Sequence, residues 1–153
     1  MGVTSIRHTG FTVSNLERSL EFYRDRLGMK VVAQQLGTAE YLSTMTRFQN
    51  VQIKFALLAV EGHPEHVLEL LEYVSHPGEP QELATNCPGN GHLCFQVEDM
   101  WETYERLKSE GVRFKSEPVG VTAGVNTGAY AVYLWDPDGF TLELVQPPAA
   151  LKR

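Results

Sequence analysis

The chain has 153 residues, 42% of them hydrophobic, which suits one domain or two small modules sharing a core. Its net charge of −6, with acidic and basic residues interspersed, supplies no basic patch for nucleic acid. No apolar run approaches the roughly 18 residues that cross a membrane and no signal-peptide pattern opens the chain, while Cys87 and Cys94 are too few for a disulfide framework; reduced thiols and a cytoplasmic location are expected.

Ile6 to Val13 reads as a first strand, with His8, Gly10 and Thr12 on one face and Phe11 and Val13 on the other. Ser14 followed by Glu17 matches a capping box, and Leu16, Leu20, Tyr23 and Leu27 then recur at helical spacing until Gly28. Met29 to Gln35, Gln52 to Val60 and His66 to Tyr73 read as strands, and Leu36 to Asn50 as a mixture of strand and loop. The Pro- and Gly-rich stretch 75–90 has no sustained periodicity and reads as a linker.

Beyond the linker the unit begins again. Gly91 to Val97 is a predicted strand that puts His92, Cys94 and Gln96 on one face. Asp99 with Glu102 repeats the cap, Met100, Tyr104 and Leu107 repeat the helix stripe 84 positions after Leu16, Leu20 and Tyr23, and Gly111 stops it. A short strand over Val112 to Lys115 and a loop over Gly120 to Gly128 precede a hairpin: Tyr130 to Leu134, the turn Asp136-Pro137-Asp138-Gly139, and Phe140 to Val145. Modules are therefore expected at 1–74 and 91–148, with a tail at 149–153.

The repeat also duplicates chemistry. His92 lies 84 positions after His8, and Glu143, in Leu142-Glu143-Leu144, lies 74 positions after Glu69, in Leu68-Glu69-Leu70. Flanking leucines that face the helix leave each carboxylate on the opposite face, which His8 and His92 share. Two imidazoles and two carboxylates suit one divalent ion, with Zn, Ni, Co, Fe and Mn all compatible. A single strand His is more often hydrogen-bonded than ligating, but its recurrence beside a recurring Glu favours ligation. His63 and His76, in turn-like sequence, and His66, opposite Glu69, are weaker rivals, and Cys94 reads as a small buried thiol. Gly120, Gly124 and Gly128 match no phosphate-binding loop.

The stretches His8-Thr9-Gly10-Phe11, Phe22-Tyr23-Arg24 before Leu27-Gly28, Gly91-His92-Leu93, and Trp135-Asp136-Pro137-Asp138-Gly139 before Leu142-Glu143-Leu144 together resemble the vicinal oxygen chelate superfamily. That group includes glyoxalase I, methylmalonyl-CoA epimerase, extradiol dioxygenases, fosfomycin-resistance enzymes and bleomycin-binding proteins. The resemblance implies an α+β fold of paired βαβββ modules forming a cupped mixed sheet, with His8, Glu69, His92 and Glu143 as metal ligands. It also implies an enzyme of the glyoxalase or epimerase type, a metal-dependent lyase or isomerase working through an enolate or enediolate, with Glu143 or Glu69 as the base. The fourth ligand, Glu69, distinguishes this set from the three-ligand extradiol dioxygenase pattern, which is one alternative; a non-catalytic small-molecule-binding resistance protein is the other. Expected substrates are a thiol adduct of a 2-oxo aldehyde or an acyl-CoA thioester. A homodimer is expected, because open modules leave edge strands to be covered.

Overall fold

A computed structural model describes residues 2–149, in a chain that divides into two units, Met1–Pro80 and Gln81–Arg153. The expected tail, 149–153, lies outside the described residues apart from Ala149. Among the described residues no helix is long and apolar enough to cross a membrane.

The first unit runs β1 (His8–Thr12), α1 (Leu16–Leu20), β2 (Lys30–Gly37), α2 (Glu40–Thr46), β3 (Ile53–Val60) and β4 (His63–Tyr73). Its strands are ordered β1-β4-β3-β2, with β1 parallel to β4 and the remaining pairs antiparallel. The second unit runs β5 (Leu93–Gln96), α3 (Met100–Ser109), β6 (Val119–Gly120), β7 (Tyr130–Trp135) and β8 (Thr141–Gln146), in the order β5-β8-β7-β6 with β5 parallel to β8. The fold class is α+β, and the same strand order in both units follows from the sequence repeat.

Alternation decides which face of each sheet is covered. Phe11, Ala56, Leu58, Leu68 and Leu70 are buried on the face where α1 packs against β3 and β4. Val132, Leu134, Leu142 and Leu144 are buried likewise in the second unit, together with Met100, Tyr104 and Leu107 of α3. Each of the Val, Leu, Phe and Met side chains among these contributes about 1.5–3 kcal/mol on burial, so the register is pinned.

Local chemistry departs from expectation in four places. Asn15, rather than Ser14, caps α1, accepting the Arg18 N–H at 2.9 Å, while Ser14 Oγ accepts from the Arg18 guanidinium. α1 continues directly into a π-helical segment, Glu21–Arg26, in which Leu27 N–H reaches back to Phe22 O. The wider turn brings the consecutive residues Phe22 and Tyr23 both inward and leaves Leu27 half-buried, where strict 3.6-residue spacing had assigned Leu27 to the core. Leu36 to Asn50, expected as strand and loop, contains α2, whose Leu42 clusters with Val51 and Ile53 against Phe55, Leu71 and Tyr73. Gly37 makes room for that docking, since a Cβ there would lie 2.7 Å from Leu42 Cδ1 and 2.8 Å from Phe55 Cε1. Finally, Val112 to Lys115 forms a single bridge, Phe114 to Leu134, rather than a strand.

Helices α1 and α3 are each also tied to the last strand of their own unit. Leu16 N–H donates to Glu72 Oε2 at 2.7 Å, and Met100 N–H donates to Gln146 Oε1 at 2.8 Å, at equivalent places in the repeat. The Asp99 cap forms as expected, its carboxylate accepting the Glu102 N–H at 2.9 Å.

The hairpin turn is built on Asp136, only 2% exposed, whose Oδ1 accepts the N–H groups of Asp138 at 2.9 Å and Phe140 at 2.7 Å. Gly139, at φ 89°, supplies the left-handed residue that closes the turn. Asp136→Ala is expected to cost about 2–4 kcal/mol, because two backbone donors lose a charged acceptor. Urea denaturation read by far-UV circular dichroism measures it; a loss below about 0.5 kcal/mol would show that the turn holds without the carboxylate.

Candidate metal centre

The site begins with the face of each sheet that carries no helix-packed leucines. In the first unit the parallel pairing of β1 with β4 sets Gly10 beside Glu69, so His8, two residues before Gly10, shares that face with the carboxylate. His8 Nε2 lies 3.3 Å from Glu69 Oε2. In the second unit β5 pairs with β8 so that Cys94 stands beside Glu143, and His92 occupies the matching place just before β5. His92 Nε2 lies 3.1 Å from Glu143 Oε2.

The two pairs also match in exposure, 44% and 22% for His8 and Glu69 against 42% and 22% for His92 and Glu143. Each imidazole is therefore open to solvent while its carboxylate is partly shielded by the strand. Two donors about 2.1 Å from one ion, at bond angles of about 90–110°, lie about 3.0–3.4 Å apart. Both nitrogen-to-oxygen distances fall in that range, so each pair fits two adjacent ligands of a divalent cation. Among the described residues no group of three or more His, Cys, Asp or Glu side chains is placed to hold a metal ion, and each unit offers two of these four donors.

The rival histidines are engaged elsewhere. His63 Nδ1 lies 3.3 Å and His66 Nδ1 3.7 Å from Glu65 Oε1, and His76 stacks on Phe48 and contacts Ser75 Oγ. His63 also falls within β4 rather than in a turn, beside an irregular register between Ala59 and Val60.

What surrounds the two pairs is not symmetric. In the first unit Leu57 lies opposite Glu69, and Phe55, Leu71 and Ile53 carry the same face to the cluster under α2. In the second unit Tyr133 lies opposite Glu143, and the Tyr133 ring meets His92 at 5.4 Å, edge to face. Burial and the Glu143 carboxylate push the Tyr133 phenol above its ordinary value. Cys94, expected to be a buried residue, is exposed on this face. Its sulfur is nonetheless desolvated beside Glu143, and burial first, then the charge and hydrogen bonding of Glu143, push the thiol up to about 12. Cys94 is therefore a neutral thiol at physiological pH and not a ready nucleophile.

Tyr133 was not singled out in the sequence, although the signal was present. The tight Asp136–Gly139 turn sets the register of β7 and β8, and the alternation of Tyr133 and Trp135 then puts both on the face of Glu143.

Comparison with known proteins agrees with the fold. The family model for the Glyoxalase/Bleomycin resistance protein/Dioxygenase superfamily matches residues 5–144. The 2-epi-5-epi-valiolone epimerase of an Actinomyces species is 30% identical over 154 residues, covering 97% of this chain and 82% of that protein. The lactoylglutathione lyase of Escherichia coli O157:H7 is 30% identical over 140 residues, covering 91% of this chain and 90% of the relative. Among solved structures, a glyoxalase family protein from Bacillus cereus superposes with a TM-score of 0.84 at 16% identity, covering 97% of both chains.

Proposed function

The chain belongs to the glyoxalase/bleomycin resistance protein/dioxygenase superfamily, and on that premise we propose that it is a metal-dependent lyase or isomerase that moves a proton on the carbon next to a substrate carbonyl. The observation that carries this reading is the duplicated His–Glu pair, with the same register, spacing and exposure in each unit. His8 and His92 would bind one divalent ion through Nε2, and Glu69 and Glu143 through Oε2. When bound, such an ion draws electron density from a carbonyl oxygen and stabilises the negative charge that develops as the neighbouring carbon loses its proton.

The chain's own residues divide the remaining work. Buried Leu142 and Leu144 hold β8 so that Glu143 projects from the open face. Glu143 would take the proton from carbon and return it, since its carboxylate projects from the open face where a substrate carbon can approach it. The Tyr133 ring and the neutral Cys94 thiol crowd Glu143 and limit the water that competes for it. Glu69, faced by Leu57, supplies the fourth donor and is the second choice as base. The presence of both carboxylates supports proton transfer over the three-ligand oxygenase pattern.

The test is solvent deuterium incorporation, read by mass spectrometry, in protein loaded in turn with Zn, Ni, Co, Fe or Mn. The compounds are methylglyoxal–glutathione hemithioacetal, a branched acyl-CoA thioester and 2-epi-5-epi-valiolone, the last two chosen to span thioester and ketone. Exchange with one of them, lost on chelation and regained on adding metal, is the expected result. Exchange that persists unchanged after complete metal removal would overturn the metal-dependent reading.

A further inference from the structure

The repeat duplicates the donor pairs but not their surroundings. The residues that match Tyr133, Trp135 and Thr141 in the first unit are Leu57, Ala59 and Val67, by the equivalent ladder positions opposite and flanking Glu69. Three apolar positions have thus become an aromatic phenol, an indole and a hydroxyl on the Glu143 side.

Two cations converge on the same place. The segment after α3 runs alongside β7, with Trp135 N–H donating to Arg113 O and Lys115 N–H donating to Tyr133 O. Phe114 between them packs on Tyr104, so Arg113 and Lys115 project to the opposite side, that of Glu143. The Arg113 guanidinium lies 5.5 Å and the Lys115 ammonium 5.3 Å from the centre of the Trp135 indole, and Lys115 Nζ also lies 5.6 Å from the Tyr133 ring centre. Lys115 Nζ donates at 2.9 Å to the hydroxyl of the fully buried Thr141, which precedes Glu143 by two residues on one face of β8. Neither cation makes an ion pair among the described residues, in a chain whose net charge is −6. Two unneutralised cations about one indole, roughly 7 Å along the strand from the candidate base, call for an anion.

We propose that Arg113 and Lys115, arranged about Trp135, form an oxyanion subsite that binds a carboxylate or phosphate substituent of the substrate and so orients the reacting carbon toward Glu143. This rests on the proposed function for the word substrate, but the subsite itself is a binding property of the second unit and needs neither metal nor turnover. The indole shields the cations from water on one side, which strengthens their hold on an oxyanion, and Arg113 offers the paired donors that a planar or tetrahedral oxyanion accepts.

The experiment uses the full chain, metal-free, carrying Trp101→Phe so that Trp135 is its sole tryptophan. Its emission is titrated at constant ionic strength with inorganic phosphate, with succinate, and with chloride as the control. A saturable change with phosphate or succinate, at a dissociation constant on the order of 1 mM, and none with chloride, is expected. The stronger of the two responses identifies the phosphoryl or carboxyl source. Arg113→Met and Lys115→Met should each weaken binding about tenfold or more, and Lys115→Arg should restore most of it. Lys115→Met removes a donor from buried Thr141; should it fail to fold, the exposed Arg113→Met carries the test alone. No response to either anion, a response equal to that of chloride, or unchanged affinity in Arg113→Met would overturn the subsite. Because metal is absent throughout, such a failure leaves the proton-transfer reading untouched, and loss of that reading leaves the titration valid.

Discussion

Glu143→Gln is expected to lower deuterium exchange by about a hundredfold to ten thousandfold, the range lost with a general base, while the protein stays folded. The amide keeps the size and one oxygen of the carboxylate, and Glu143 is packed by its strand rather than by its charge, between buried Leu142 and Leu144. Glu69→Gln is the paired measurement. As a donor and not the first base, Glu69 should cost about tenfold to a hundredfold in metal affinity, with exchange restored in part by excess metal. The two effects separate when metal content and exchange are measured on the same preparations. Glu143→Gln retaining more than about a tenth of the wild-type exchange at full metal occupancy would remove Glu143 as the base and transfer the role to Glu69.

The features legible in the sequence were those written as period and repetition. Leu68-Glu69-Leu70 and Leu142-Glu143-Leu144 put their leucines into the helix-covered face and their carboxylates on the other, and period-2 alternation alone states that. The hairpin was legible because Asp136, Pro137 and Gly139 each have a local conformational reason to be there. What escaped was set by contacts distant in sequence. α2 is seven residues long, has no side-chain N-cap and buries only Leu42 of its own residues, so its stability comes from Ile53, Phe55 and Tyr73 rather than from its own pattern. The caps from Glu72 and Gln146 bridge 56 and 46 positions, beyond any local rule. The π-helical turn was hidden for a related reason: burying Phe22 and Tyr23 together needs a wider turn, and a 3.6-residue template selects one of them. At the site, residue types singled out the two His–Glu pairs that the strands bring together, whereas the cationic character of the second unit depends on Arg113 and Lys115 crossing β7, which only the register reveals.

Mixing two inactive variants, His8→Ala and His92→Ala, is expected to regain about a quarter of wild-type exchange if, as we propose, the chain is a homodimer that completes each metal centre from two copies. Each unit presents one His–Glu pair, and on the proposed reading a divalent ion of this chemistry would take its four protein donors from two such pairs, one from each copy. Dimerisation has its own driving force. Val32, Leu36, Tyr41 and Met45 of the first unit are 56–70% exposed in the single chain, on an edge strand and the helix that follows it, and covering them with a second copy removes apolar surface and an open edge from water. In a mixed dimer with cross-chain sites, one centre loses both histidines and the other keeps all four donors. Half of the dimers in an equal mixture are mixed, and each has one working centre of two, which gives the quarter. Centres completed within one chain would yield no recovery, because every chain in the mixture lacks one ligand. Sedimentation across a dilution series completes the measurement: exchange and bound metal should fall together as dimer dissociates, and a monomer that keeps its ion would sink the shared centre.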